Sequence, residues 1–204
     1  PIFDKWVLRE NQVPFFEYSK HTPKLWEQPN RILTWQHGAG KSFILMKTMS
    51  DYKRRAIIVM RPTYMFNFES EMWDTYDISA ERVLTVAGSH ELVSFLNSIK
   101  DNTFDKDIVM ISNRTLYRYF KSFISLSKEE FCAKYPLDID ELFKYGRFGL
   151  RAIDEVHQDF HLNFTLDLFT NVTKSLSLSA TLVPGKNRFL SYIQNVAYPD
   201  ADRF

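Results

Sequence analysis

The chain has 204 residues, 45% of them hydrophobic and 16% aromatic, which is enough apolar material for one large buried core. A formal net charge of +1 excludes a protein that is basic overall, so any surface for nucleic acid must be a local patch. The single cysteine, Cys132, excludes an internal disulfide, and no apolar run reaches the roughly 20 residues that a membrane-spanning helix needs.

Six short runs rich in Ile, Val and Leu recur along the chain and alternate poorly, which is typical of strands buried on both faces. They span residues 32–35, 56–60, 83–86, 108–112, 150–153 and 176–179. Segments long enough for helices lie between them, at 42–52, 64–74, 89–100, 114–125 and 137–144, and the insertion 128–146 predicts one or two short helices. This order predicts an α/β domain with a mostly parallel central sheet, right-handed crossovers and helices on both faces.

A glycine turn follows the first predicted strand, with the sequence Gly38-Ala39-Gly40-Lys41-Ser42. Glycines there let backbone N–H groups close around phosphate oxygens, and the next helix adds partial positive charge at its N-terminus. The pattern predicts that Lys41 reaches the β- and γ-phosphates of ATP and that Ser42 holds Mg²⁺. Trp35 stands where the full phosphate-loop pattern has its first glycine, so taken alone the turn leaves an ordinary strand–turn–helix joint open.

Two adjacent carboxylates, Asp154 and Glu155, follow the fifth predicted strand. Ligands of open parallel sheets bind at the carboxyl ends of the strands, which is where these residues fall. Asp154 is placed to hold Mg²⁺ through water, and Glu155 to orient or deprotonate the water that attacks the γ-phosphate. An exposed acidic turn is the alternative, which the phosphate loop earlier in the chain disfavours.

Asp154-Glu155-Val156-His157 after Gly-x-Gly-Lys-Ser resembles the first RecA-like lobe of a superfamily 2 helicase or translocase of the DExH type. Four other segments resemble the family's motifs in the family's order: Leu8-Arg9-Glu10-Asn11-Gln12, residues 56–63, the Swi/Snf-like residues 107–116, and Ser179-Ala180-Thr181. The resemblance implies that residues 1–204 form a single RecA-like P-loop domain, and that the second RecA-like lobe is absent from this chain.

The resemblance also implies roles for individual residues. Gln12, in one element with Arg9, would read the adenine edge, although Glu10 and Asn11 replace the family's usual Pro-Tyr. His157 would bond toward Ser179 or Thr181 and couple the ATP site to the nucleic-acid site. Contacts with the nucleic-acid backbone are implied at Arg61, Thr63, Asn113, Arg114 and Thr115.

The implied function is that of the ATP-binding and hydrolysing motor lobe of a DNA helicase, with ATP and Mg²⁺ as cofactors. Because the second lobe would supply an arginine finger worth about 10³–10⁵ in rate, we expect this lobe to hydrolyse ATP weakly on its own. A double-stranded DNA translocase that does not unwind, an RNA helicase, a non-catalytic scaffold that binds nucleic acid, and a P-loop kinase stay open as alternatives.

The expected partners are nucleic acid, with DNA favoured over RNA by the Swi/Snf-like segment, and the second lobe. No membrane partner is expected. The low cysteine content suits an intracellular protein, cytoplasmic or nucleoid-associated, of cellular or viral origin.

Overall fold

The computed structural model describes residues 7–13, 15–16, 30–34, 36, 38–169, 172–180 and 188–198. Its strands are β1 (Asn30–Thr34), β2 (Arg55–Met60), β3 (Val83–Val86), β4 (Ile108–Ser112), β5 (Phe148–Ile153) and β6 (Lys174–Ser179). Among the described residues these six form one sheet in the order β1-β6-β5-β2-β4-β3, and every neighbouring pair is parallel. The predicted α/β fold with a parallel, RecA-like sheet is confirmed.

Helices connect the strands. They are α1 (Lys41–Tyr52), α2 (Pro62–Asp74), α3 (Ser89–Lys100), α4 (Asn113–Ser125), α5 (Lys128–Lys134), α6 (Ile139–Gly146), α7 (Phe160–Phe169) and α8 (Arg188–Ala197), with a 3-10 turn at Ala80–Arg82. The five predicted helices recur within two residues of their expected ends. Helices α7 and α8 were not predicted, and in α7 the reason is that Phe160, Leu162 and Phe164 alternate with polar residues, a spacing typical of a strand.

The sheet separates two hydrophobic cores, as the prediction of helices on both faces requires. Strand β2 shows this best, because Ile57 and Val59 belong to one core while Ile58 and Met60 belong to the other. Helices α1 and α2 cover the second core, and the remaining described helices lie on the first. A strand buried on both faces carries apolar residues continuously, which explains why these strands alternate so poorly in the sequence.

The insertion between α4 and β5 contains two helices, α5 and α6, within the predicted range. Each begins with a capping box, in which Ser127 pairs with Glu130 and Asp138 pairs with Glu141 through reciprocal side-chain and backbone bonds. Because Asp138 is the cap, α6 begins at residue 139 rather than at the predicted 137. In the described part of the chain, no helix is long and apolar enough to cross a membrane.

Parallel pairing places the carboxyl ends of all six strands at one edge of the sheet. Only β6 separates β1, which precedes the glycine turn, from β5, which precedes the two carboxylates. Since neighbouring strands lie about 4.8 Å apart, the two predicted halves of the ATP site are brought within reach of one ligand.

Candidate functional site

The glycine turn between β1 and α1 has the backbone geometry of an anion-binding loop. Gly38 and Gly40 have φ of 78° and 88°, a left-handed conformation that L side chains rarely adopt. Gly40 caps α1 and Lys41 is its first residue, so the N–H groups of the first helical turn lie at the glycine turn. Lys41 is largely buried, and its Nζ lies 3.5 Å from the carbonyl oxygen of Gln36. Trp35 lies outside the described residues.

The segment of residues 9–12, which precedes β1, contacts this turn. The Arg9 guanidinium donates to the carbonyl of Gly38 at 3.1 Å, and the Asn11 amide donates to the carbonyl of Ala39 at 3.3 Å. Asn11, one of the two departures from the family pattern, therefore ties the segment to the loop.

Gln12 is buried against the glycine turn. Its Oε1 accepts from the backbone N–H of Arg9 at 3.0 Å, and a Cβ placed on Gly40 would come within 2.4 Å of its Nε2. Glycine at position 40 thus serves two purposes: it permits a positive φ and leaves room for the Gln12 amide. The role of Gln12 as a base reader stays a prediction.

A cleft of about 450 Å³ opens beside the turn, a size that suits a small-molecule ligand. It brings together Arg9, Gln12, residues of the glycine turn, and both carboxylates after β5. Three residues near the end of α2 also line it and were missed in the sequence: Glu71, Thr75 and Tyr76. Their signal was absent because no sequence motif marks the end of a helix that borders a cleft.

The carboxylates of Asp154 and Glu155 sit on a turn held by backbone bonds. The N–H of Asp154 donates to Val59 on β2, and the N–H of Val156 donates to Leu178 on β6. Burial, followed by the neighbouring charge of Glu155, raises the pKa of Asp154 to about 6. Glu155 has a φ of 47°, a strained backbone conformation that is often kept at functional sites.

The neighbouring carboxylates of Asp154 and Glu155 repel each other when both are charged, and a bound divalent cation would reduce this repulsion. Within the described residues, no cluster of three or more His, Cys, Asp or Glu could hold a metal ion by itself. Ser42 and Asp154 both line the cleft and supply oxygen ligands, so they fit Mg²⁺ whose remaining ligands are water and phosphate.

His157 connects the carboxylate turn to the end of β6. Its Nδ1 lies 2.8 Å from Ser179 Oγ and 3.2 Å from Glu155 Oε2. The N–H of Ala180 donates to the same Glu155 oxygen at 3.4 Å. The contact between His157 and Ser179 is therefore present, whereas Thr181 lies outside the described residues.

The five residues implied for nucleic-acid contact differ in their exposure. Asn113 and Thr115 are buried, and Thr115 Oγ1 donates to the carbonyl of Ala87 at 2.7 Å. The first turn of α4 points both side chains into the protein, and their contact with nucleic acid stays a prediction. Thr63 and Arg114 are exposed.

Arg61 is half-buried and engaged inside the protein. Its Nε donates to Asp159 Oδ2 at 2.9 Å, and the Asn113 amide donates to the same oxygen at 3.2 Å. Asp159 belongs to the turn that starts with the two carboxylates, and sequence reasoning missed it because a single Asp after a motif carries no pattern.

No family model matches the sequence, and no curated protein matches it. Among solved structures, the SWI2/SNF2 ATPase core of Sulfolobus solfataricus in complex with dsDNA is similar, with a TM-score of 0.58 and 18% identity over 95% of this chain and 36% of that chain. The helicase domain of Pyrococcus furiosus Hef has a TM-score of 0.57 and 13% identity, over 94% of this chain and 38% of that one.

The chain has a RecA-like α/β fold that it shares with part of each of these two structures. At these identities the likeness concerns the fold alone. The chain spans little more than a third of the length of either structure, so the activity of the larger proteins comes to it only as a proposal.

Proposed function

We propose that this chain is the ATP-binding and hydrolysing lobe of a superfamily 2 helicase or translocase that acts on DNA. The observation that carries the proposal is the convergence of Lys41, Asp154 and Glu155 on one cleft beside a left-handed glycine turn. These are the three charged groups that a P-loop ATPase needs: a cation for the phosphates, an acid for the metal and a base for water.

Each residue has a stated task in this proposal. The N–H groups of the glycine turn and the Lys41 ammonium hold the β- and γ-phosphates, and Gln12 with Arg9 fixes the base. Ser42 and Asp154 hold Mg²⁺, which supplies charge neutralisation and polarises the γ-phosphate when it is bound. Glu155 orients the attacking water and accepts its proton, and the Ala180 N–H holds the Glu155 carboxylate in place.

The proposal extends to a second RecA-like lobe and to nucleic acid. An arginine finger from that lobe would stabilise the transition state, so the isolated chain hydrolyses ATP slowly. Thr63 and Arg114, exposed at the starts of α2 and α4, contact backbone phosphates, and such contacts carry no sequence information.

A double-stranded DNA translocase that does not unwind is the second candidate. The similarity to a SWI2/SNF2 core in complex with dsDNA favours it. Strand displacement by the full-length protein separates the two, because a helicase releases the displaced strand and a translocase moves along the duplex without doing so.

Calorimetric titration of ATP with Mg²⁺ tests the nucleotide site. We expect the parent chain to bind and Lys41→Ala to lose binding by at least about tenfold, since a charge-assisted phosphate contact is removed. Lys47→Ala is the matched control, because Lys47 is on the same helix, pairs with Asp51 and lies outside the cleft lining. Equal loss in both variants, or binding unaffected by Lys41→Ala, would contradict the proposed site.

A further inference from the structure

We infer that the amino-terminal edge of the sheet, where its strands begin, carries a cationic site separate from the ATP cleft. This site binds the phosphodiester backbone of a nucleic acid. This basic edge site surrounds the turn from α1 to β2, formed by Lys53, Arg54 and Arg55. Two open hollows of about 260 and 330 Å³ flank the turn and share these three residues with Asp107. None of their lining residues also lines the ATP cleft, and that cleft lies at the opposite edge of the sheet.

The topology places a row of charges along this edge. The residue immediately before each of the four neighbouring strands β5, β2, β4 and β3 is Arg147, Arg54, Asp107 and Arg82, respectively. Strands lie about 4.8 Å apart, so the row extends for about 14 Å. A row of this length suits a polymer with repeating phosphates better than a single small anion.

Two of the cations that line the site, Arg82 and Arg55, already have partners within the protein. Arg82 Nε lies 2.6 Å from Asp107 Oδ2. Arg55 donates to the carbonyls of Gly146 at 2.7 Å and Phe104 at 3.3 Å, and its guanidinium lies 4.6 Å from the centroid of the Phe104 ring. These contacts shape the hollows and neutralise the carboxylate in their lining.

Three cations are left to face solvent: Lys53, Arg54 and Arg147, which are all exposed. The ion pairs of the described residues include none of these three cations. Positive charge without an acidic partner is therefore concentrated at this edge, although the net charge of the chain is only +1. Because the chain is not basic overall, a surface that binds nucleic acid must be a local patch of this kind.

The backbone positions of these cations are also unusual. Lys53 and Arg147 follow the last residues of α1 and α6 with φ of 48° and 55°, a left-handed position where glycine is the usual residue. The stem of Arg54 lies on Gly149, where an added Cβ would approach Arg54 Cβ within 2.7 Å. The helix ends and the strand therefore fix the backbone from which these three side chains extend, so less backbone ordering is needed on binding than in a solvated loop.

The shape and chemistry favour nucleic acid over an acidic protein segment. Guanidinium groups form forked bonds with phosphate and with carboxylate alike, so the length of the charged row and an exposed aromatic ring are what favour nucleic acid. Tyr145, which is 51% exposed, borders the second hollow and offers a face on which a base can stack. The site goes beyond the proposed function, because the contacts implied by the helicase motifs lie at the carboxyl edge.

The test measures binding of a fluorescent duplex of about 20 base pairs to the chain between about 50 and 200 mM salt. The site variant combines Lys53→Gln, Arg54→Gln and Arg147→Gln. We expect the slope of log Kd against log salt to fall by about 2–3, because each lost phosphate contact removes about 0.9. At the lowest salt the affinity should fall by at least about tenfold.

The control variant combines Lys121→Gln, Lys128→Gln and Lys134→Gln, which are exposed, make the same change in net charge and line neither hollow. Its slope should match that of the parent chain. Equal slopes in the site and control variants, or a parent chain that does not bind the duplex, would overturn the inference. Poly-glutamate serves as a probe for an acidic protein segment. A site variant that loses poly-glutamate binding and keeps duplex binding would overturn the inference in favour of an acidic protein partner.

Titration of ATP with Mg²⁺ into the site variant separates this inference from the proposed function. The variant should bind ATP like the parent chain, because none of its changes touches the cleft. Failure of the Lys41→Ala test would remove the proposed nucleotide site and leave the duplex result standing.

Discussion

Arg61 donates from Nε to Asp159 Oδ2 at 2.9 Å and so joins the end of β2 to the turn that begins with Asp154 and Glu155. This hydrogen bond is also the main reason that the pKa of Asp159 lies below its usual range. Asp159 has a φ of 54°, so its backbone is held in a strained conformation while its carboxylate faces the arginine. A backbone phosphate that bound Arg61, as the helicase resemblance implies, would have to replace this carboxylate.

The first prediction is that Asp159→Asn strengthens binding of a DNA duplex. The change frees Arg61 and removes a negative charge close to Arg114, and because a partly exposed ion pair is worth about 0–1 kcal/mol, the gain should be up to about fivefold. Fluorescence anisotropy measures it. Asp140→Asn is the control, since Asp140 is an exposed acid on α6 that makes no such contact. An equal gain in both variants would point to net charge alone.

The second prediction concerns the pH dependence of Asp154. Its pKa is raised from 3.8 to about 6, so the folded chain keeps a proton that the unfolded chain has released. Without ligand, the free energy of unfolding therefore falls as the pH rises from about 4 to about 6, by at most about 3 kcal/mol. Urea unfolding at several pH values should show this fall in the parent chain and not in Asp154→Asn.

The same shift affects Mg²⁺, because the metal needs the ionised carboxylate. We expect the benefit of Mg²⁺ to ATP affinity to shrink as the pH falls through about 6. In Asp154→Asn the benefit should be small at every pH. A pH-independent effect of Mg²⁺ in the parent chain would place the metal elsewhere.

The third prediction tests the contact between His157 and Ser179. Ser179→Ala should leave ATP affinity within about twofold of that of the parent chain. It should abolish any change in ATP affinity that the duplex causes, because coupling between the ATP site and the nucleic-acid site is a free energy carried by contacts. Ser177→Ala is the matched control on β6, because its hydroxyl bonds to Tyr198 at 2.8 Å instead. If both variants keep the coupling, the histidine contact is structural only.

The fourth prediction concerns the base. Gln12→Ala should lower ATP affinity by about tenfold and bring ATP and GTP closer together, because a site built to hydrogen-bond a group discriminates strongly against its absence. Glu10→Ala, an exposed neighbour in the same segment, should change neither affinity. Competition between ATP and GTP for the same site provides the measurement.

The sequence predicts best those parts that depend on local backbone chemistry. The turn at Gly38 and Gly40 and the apolar runs of the parallel strands follow from conformational freedom and burial, which a sequence pattern records directly. Asn113 and Thr115 show the limit. Both are polar residues at a helix start, and only the packing of α4 decides that they face inward.

Long-range contacts make up the rest of what the sequence could not predict. Asp159 is 98 residues from Arg61 in the sequence, yet the two side chains form a hydrogen bond. Glu71 is distant in the sequence from the glycine turn and from the two carboxylates after β5, yet it lines the same cleft as both. Neither has a neighbour pattern that sets it apart from an exposed acid. The basic run at Lys53-Arg54-Arg55 looks like a solvated turn until the sheet order brings Arg147 and Arg82 beside it.

Hydrogen exchange of the backbone amides shows whether the glycine turn binds the phosphates of ATP. We expect ATP with Mg²⁺ to slow exchange in the peptide covering residues 38–42 and Lys41→Ala to remove this protection. Unchanged exchange in that peptide, at an ATP concentration where calorimetry shows binding, would mean that the nucleotide binds elsewhere.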